Sequence, residues 1–212
     1  MSTLSRRTVT ALAIFSSLSA MSGMPAAAAG KNDISQELRA GGLVIVVRHG
    51  ATFPDQADTD PLNFDNIAAQ RNLNEKGKAL AKSFGDALRQ VRAPVGKVYT
   101  SKYNRAYETA VIAGFMDIEK TADITEGGLV VSPNENNRRA AAFKKLAGTM
   151  PPAGTNIVLV SHKPNIMDAF GKDWFDVREG EASIFKPDGN GGFALIARVQ
   201  AADWAKLAAT VN

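Results

Sequence analysis

The chain contains only two histidines, His49 and His162, and each follows an apolar run rich in β-branched residues. Val44 to Val47 lead into Arg48 and His49, and NIVLVS, residues 156 to 161, leads into His162. Such runs read as short strands covered on both faces. Each therefore delivers an imidazole at the carboxyl end of a buried strand, where it can serve as nucleophile or as acid and base near neutral pH. One histidine in such a place is more often a satisfied core or surface residue; two at matching strand ends are harder to dismiss. Arg48 adjoins the first, and Arg105 stands in SKYNRAYETA, just past a third candidate strand. A guanidinium offers a planar fork of donors that does not deprotonate, suited to anionic oxygens. Taken singly, Arg48 would be read as a surface salt bridge and Arg105 as a solvated helix residue.

The elements that must position these groups alternate along the chain. DISQELRAGG reads as a short helix stopped by Gly41 and Gly42, feeding a strand over Leu43 to Val47. Thr52 to Arg71 is rich in Asp, Pro and Asn without sustained periodicity and reads as a functional loop with one turn of helix. Asn74 fits an N-cap, and Leu80, Phe84, Leu88 and Val91 share one helical face. A strand is expected over Lys97 to Thr100. A helix follows over Arg105 to Phe115, with Ala106, Thr109, Ala110 and Ala113 as a small-residue packing face, and another over Asn137 to Ala147. Pro164 suits a helical first turn. Ala182 to Lys186 and Phe193 to Val199 form an expected antiparallel hairpin around PDGNGG, and Asp203 to Thr210 a closing helix. This order predicts an α/β three-layer sandwich with a mostly parallel central sheet, helices on both faces and an antiparallel edge hairpin. In such sheets ligands gather outside the carboxyl ends of the strands. There the sequence delivers Arg48 with His49, the segment Ser101 to Arg105, and His162.

Composition narrows the setting. The 212 residues allow one substantial core. The first 29 residues hold no acidic side chain, carry Arg6 and Arg7, continue through a short apolar stretch and end on small residues. That layout predicts a secretory signal peptide over residues 1–29, cleaved after one of Ala27 to Ala29, and a single domain over 30–212. Ser16, Ser17 and Ser19 interrupt an apolar run already short for a membrane span. SRRTVT partly resembles a twin-arginine signal. Without Arg6 and Arg7 the 25 basic residues become 23 against 21 acidic ones, so nothing suggests a nucleic-acid partner. The absence of cysteine excludes disulfides, thiolate catalysis and cysteine metal sites, and suits a periplasmic or secreted location.

RHGAT, SKYNRAYETA and VSHKPNI, in that order and behind the expected elements, resemble the three signature segments of the histidine phosphatase superfamily, whose fold includes the phosphoglycerate mutases. LNEKGKALA, residues 73 to 81, resembles the family's helix after the first motif, so the likeness spans roughly residues 43 to 200. The resemblance implies that His49 attacks phosphorus and becomes a phosphohistidine, which water then hydrolyses. Arg48 and Arg105 would clamp the nonbridging oxygens and His162 would complete the pocket as a hydrogen-bond donor. No cofactor and no metal are implied, because the positive field comes from side chains. Gly50, Thr52, Ser101 and Arg71 are candidate substrate-binding residues, with turn capping or a surface role as the competing readings. Gln70 stands in the same position as Arg71, and Asn165 reads as a helix-start residue rather than a ligand.

The resemblance also implies an acid for the leaving group. Glu135, in PNENNRR, lies between Arg105 and His162, where many relatives carry theirs; Glu181, in EGEAS, is the alternative at the start of a strand. The expected activity is a phosphomonoester hydrolase. Its rivals are a phosphate-recognising binding protein of the cell envelope without turnover, and a phosphohistidine protein phosphatase. Only 57 positions separate Arg105 from His162, little room for the large cap associated with the mutases. The expected partner is a phosphorylated small molecule or envelope component, with no stable membrane span in the mature form.

Overall fold

The computed structural model describes residues 31–209. The expected signal peptide lies outside the described residues, as does Thr210. Among the described residues no helix is long and apolar enough to cross a membrane.

Helix α1 (Lys31–Ala40) ends at Gly41 and Gly42, both at positive φ, and β1 (Val44–Arg48) follows. The loop after β1 holds one 3-10 turn at Ile67–Ala69. Helix α2 (Glu75–Gln90) is capped by Asn74, whose side chain accepts from the Gly77 N–H. Then come β2 (Val95–Ser101), α3 (Asn104–Ile112), β3 (Ile118–Thr121), α4 (Pro133–Ala147), β4 (Asn156–Ser161), α5 (Lys163–Phe170), β5 (Ala182–Pro187), β6 (Phe193–Val199) and α6 (Trp204–Ala209).

The six strands form one sheet in the order β3-β2-β4-β1-β5-β6. β3, β2, β4 and β1 are parallel; β5 and β6 join antiparallel at one edge. Successive side chains of a strand face opposite sides, and the two cores follow that rule. Ile45 and Val47 of β1, with Val158 and Val160 of β4, pack against α1, α2, α3 and α6; Val44, Val46, Ile157 and Leu159 pack against α4 and α5. The small face of α3 is buried as expected, with Ala106, Thr109, Ala110 and Ala113 against the sheet.

Besides small shifts of bounds, such as α3 ending at Ile112 instead of Phe115 and β2 starting at Val95 instead of Lys97, two elements differ from the sequence reading. β3 was not expected: its sequence, IEKT, is a half-exposed edge pairing β2 on one side only, and it has neither an apolar run nor a hydrophobic alternation. Helix α4 begins a turn earlier than Asn137, because Ser132 caps it through the Glu135 N–H and Pro133 occupies the first turn. That turn places Glu135 in a helix instead of a loop.

Candidate active site

Strand order brings the chemistry together. β4 lies between β1 and β2, all three parallel, so their carboxyl ends are neighbours. Arg48 pairs with Ser161 in register, and the His49 N–H donates to the Ser161 carbonyl at 3.0 Å. His49, Ser101 and His162 thus emerge side by side, and the two imidazole centroids lie 5.1 Å apart at 63°.

His49 is buried, and its Nδ1 lies 2.7 Å from the Gly50 carbonyl oxygen. A carbonyl only accepts, so Nδ1 carries the proton and a neutral ring leaves Nε2 with a free lone pair. Burial first, and the Arg105 guanidinium second, hold this imidazole well below its ordinary pKa of 6.5; Arg48 and Arg71 push the same way. His49 is therefore neutral and nucleophilic at pH 7. His162 is also buried and also held well below 6.5, by burial, then Arg105, His49, Arg71 and Arg48. Its Nε2 meets the Ser101 hydroxyl at 2.6 Å, and its Nδ1 stands 3.4 Å from a carboxylate oxygen of Glu126.

Arg105 has no exposed surface, and the face of Tyr103 lies 4.2 Å beneath its guanidinium. Its donors go to Asp58 at 2.9 Å and Glu126 at 3.2 Å, with the Arg71 carbonyl at 3.4 Å, while Nε is buried without a partner. Arg48 donates to the Val177 carbonyl at 2.8 Å and faces Glu179 at 3.6 Å; its Nε is likewise buried and unpartnered. Asp58 also accepts from the Arg71 N–H at 2.9 Å, which ties the loop after β1 to the site.

The two acids named from the sequence lie elsewhere. Glu135 is bound by Arg138 and Arg139 in the first turn of α4, and those hydrogen bonds hold its carboxyl down to about 2, the opposite of what a proton donor needs. Glu181 is fully buried, and both oxygens are spent: Arg198 donates to one at 2.6 Å, and Gln200 and the Arg178 N–H to the other at 2.7 and 3.0 Å. The carboxylate at the histidines is Glu126. It follows Thr125, whose carbonyl accepts from Arg139 and Asn165 and whose hydroxyl accepts from the Lys102 N–H, so the backbone before Glu126 is fixed on three sides.

Among the other candidates, Ser101 holds His162, and Arg71 places its charge near both histidines. Gly50 makes a close approach, but to helix α2: a Cβ there would meet the Gly77 backbone. Thr52 forms an isolated bridge with Leu73, and its carbonyl accepts from Asn74. Gln70 is buried, accepts from the Asn104 N–H at the start of α3 and donates to the Phe64 carbonyl, a fastening of the loop. Asn165, in α5, serves Thr125. Glu126, Asp58 and Tyr103 were not singled out from the sequence.

The family model of the histidine phosphatase superfamily (branch 1) matches residues 44–131. No curated protein matches the chain. Solved structures share its fold. The protein histidine phosphatase SixA complexed with tungstate aligns at 16% identity and TM-score 0.55, over 76% of this chain and 98% of that one. A mycobacterial glucosyl-3-phosphoglycerate phosphatase with inorganic phosphate aligns at 16% identity and TM-score 0.52, over 76% and 99%. A Thermus thermophilus protein aligns at 20% identity and TM-score 0.51, over 74% and 99%. The RHG triplet at the end of β1 and the arginine at the start of α3 fall inside the segment that matches the histidine phosphatase superfamily model, and the second histidine stands just after β4, beside the first.

Proposed function

We propose that the protein hydrolyses phosphomonoesters through a phosphohistidine on Nε2 of His49. The observation that carries this reading is the pairing of His49 Nδ1 with the Gly50 carbonyl, which bares Nε2 in a ring kept neutral by burial and three arginines. In the first step the Nε2 lone pair attacks phosphorus and the bond to the leaving oxygen breaks. Arg48, Arg71 and Arg105 receive the nonbridging oxygens, the phosphoryl group replacing the carboxylates that now share Arg105. With the Ser101 hydroxyl donating to Nε2 of His162, the Nδ1–H of that ring faces Glu126 and the transferring group. The proton carried in by the substrate monoanion passes to Glu126 and from it to the leaving oxygen, and Glu126, again a carboxylate, takes one from the water that attacks the phosphohistidine. The products are an alcohol, inorganic phosphate and free His49.

His49→Ala should abolish hydrolysis of an aryl phosphate while retaining the wild-type thermal melt. Brief incubation of the wild-type protein with labelled substrate and an alkaline quench should leave label on His49. Wild-type turnover in the variant, or label elsewhere, would overturn the covalent route. Activity should also withstand chelators, because three guanidinium groups already supply positive charge. Loss in EDTA with rescue by a divalent ion would refute that.

We also propose export, on composition alone: residues 1–29 act as a cleaved leader, and a domain free of cysteine works in the periplasm or outside the cell on a phosphorylated small molecule or envelope component. Sequencing the amino terminus of the protein recovered from periplasm and medium tests this. A product still beginning at Met1 and confined to the cytoplasm would refute it.

A further inference from the structure

A cavity of about 530 Å³ opens beside the phosphoryl site, on the β5 side of β1. Its charged wall consists of Arg48, Lys76, Lys163, Arg178, Asp176 and Glu179. The two acids are engaged: Asp176 accepts from Arg198 at 2.9 Å, and Glu179 faces Arg48. Lys76, Lys163 and Arg178 make no side-chain hydrogen bond or ion pair with any described residue. Three unpaired cations around one cavity repel one another, a cost that an anion bound among them would remove.

Their positions link the cavity to the chemistry. Lys163 directly follows His162 and opens α5. Lys76 precedes Gly77, the residue whose backbone packs against Gly50 and Ala51 just after the nucleophile. Arg178 follows Val177, whose carbonyl holds the Arg48 guanidinium at 2.8 Å. Arg48 is thus the shared wall between the two spaces. On the opposite side of the site, Asp58 and Glu126 balance Arg105. The cavity side thus carries three cations without side-chain partners among the described residues, while the buried Arg105 is matched by two carboxylates.

Resting on the phosphatase reading above, we propose that this cavity is a second anion subsite, and that the preferred substrate is a molecule carrying two phosphate groups. One phosphoryl group is presented to His49 while the other is held by Lys76, Lys163 and Arg178. The cavity volume is within the range of small-ligand sites. Because the cations are solvent-accessible, their contribution is to be screened by salt.

The test compares α,ω-alkanediol bisphosphates of increasing chain length with the corresponding alkyl monophosphates, using the full protein. At low salt the best bisphosphate should exceed its monophosphate in kcat/KM by at least about tenfold, the worth of one charge-assisted hydrogen bond. Raising the salt to about 0.5 M should erase most of that preference. The triple variant K76A/K163A/R178A should lose it while its kcat/KM on the monophosphates stays within about twofold of wild type, since none of the three is assigned to the phosphoryl site. Calorimetric binding of the same compounds gives a readout independent of turnover. Bisphosphate affinity should fall in the variant, and orthophosphate affinity should not. Should neither ester be hydrolysed, the phosphatase reading fails while the calorimetry still decides the subsite. A bisphosphate with no advantage in either measurement, or an advantage that survives the triple substitution in a variant with a wild-type melt, would overturn the subsite.

Discussion

At the scale of single residues the site sorts three carboxylates by what holds them. Glu135 is ionised by two arginines, Glu181 is consumed by three donors, and Glu126 alone of the three reaches His162. A proton donor matters most when the leaving group is poor, because a low-pKa phenol departs without one. Glu126→Gln should therefore lower kcat on an alkyl phosphate by about 10²- to 10³-fold and on an activated aryl phosphate by less than about tenfold. Glu135→Gln should show no such asymmetry. If Glu126→Gln slows both esters equally, the residue only positions Arg105. The nucleophile makes its own prediction. With His49 held well below 6.5, kcat/KM should stay level as pH falls from 8 to below 6.5, and drop only further into acid. A half-maximal point at or above pH 6.5 would show that the ring is not desolvated as the structure has it.

Elements account for what was legible in the sequence. β1 and β4 announce themselves as continuous apolar runs because both faces are covered, and the groups at their carboxyl ends, Arg48, His49 and His162, could be placed by that alone. Glu126 could not. It follows β3, a strand half-exposed at the sheet edge whose IEKT sequence carries no burial signal, so nothing marked its downstream residues as lying at the rim. Glu135 was favoured because it lies between Arg105 and His162, where many relatives carry their acid; a capping serine just before PNENNRR turns that segment into a helix and gives Glu135 to two arginines instead. Partners across the loop, such as Asp58 on Arg105, stand 47 positions apart in the chain and have no local signature. The seam between the end of β1 and the start of α2 is equally silent in sequence. Gly50 and Gly77 face each other there, and a Cβ on Gly77 would run into the Ala51 carbonyl. Gly77→Ala should cost about 1–3 kcal/mol of stability through overpacking, and should displace the backbone that presents His49, lowering kcat as well. Denaturant melts and turnover on an aryl phosphate check both effects; wild-type values for both would mean that the seam yields freely.

At the scale of the whole molecule, the site stores a dependence of stability on pH. The fold buries its only two histidines in neutral form, each held well below 6.5 by burial first and by Arg105 second. In the unfolded chain both rings would titrate near their ordinary value of about 6.5. Below that value the unfolded state binds protons that the folded state refuses, so the free energy of unfolding falls as pH falls. The slope is about 1.4 kcal/mol per pH unit for each ring, thus up to about 2.7 for the pair, and it continues until the folded rings themselves protonate. Between pH 6.5 and pH 5 the carboxylates are still largely ionised in both states, so the window isolates the histidines. Urea unfolding at pH 7, 6 and 5 should show stability level above 6.5 and declining below it. In His49→Asn, which removes one titrating ring, the slope should fall to about half. A wild-type protein equally stable at pH 7 and pH 5 would mean that the folded rings accept protons as readily as the unfolded ones, and the neutral nucleophile at the end of β1 would have to be abandoned with the slope.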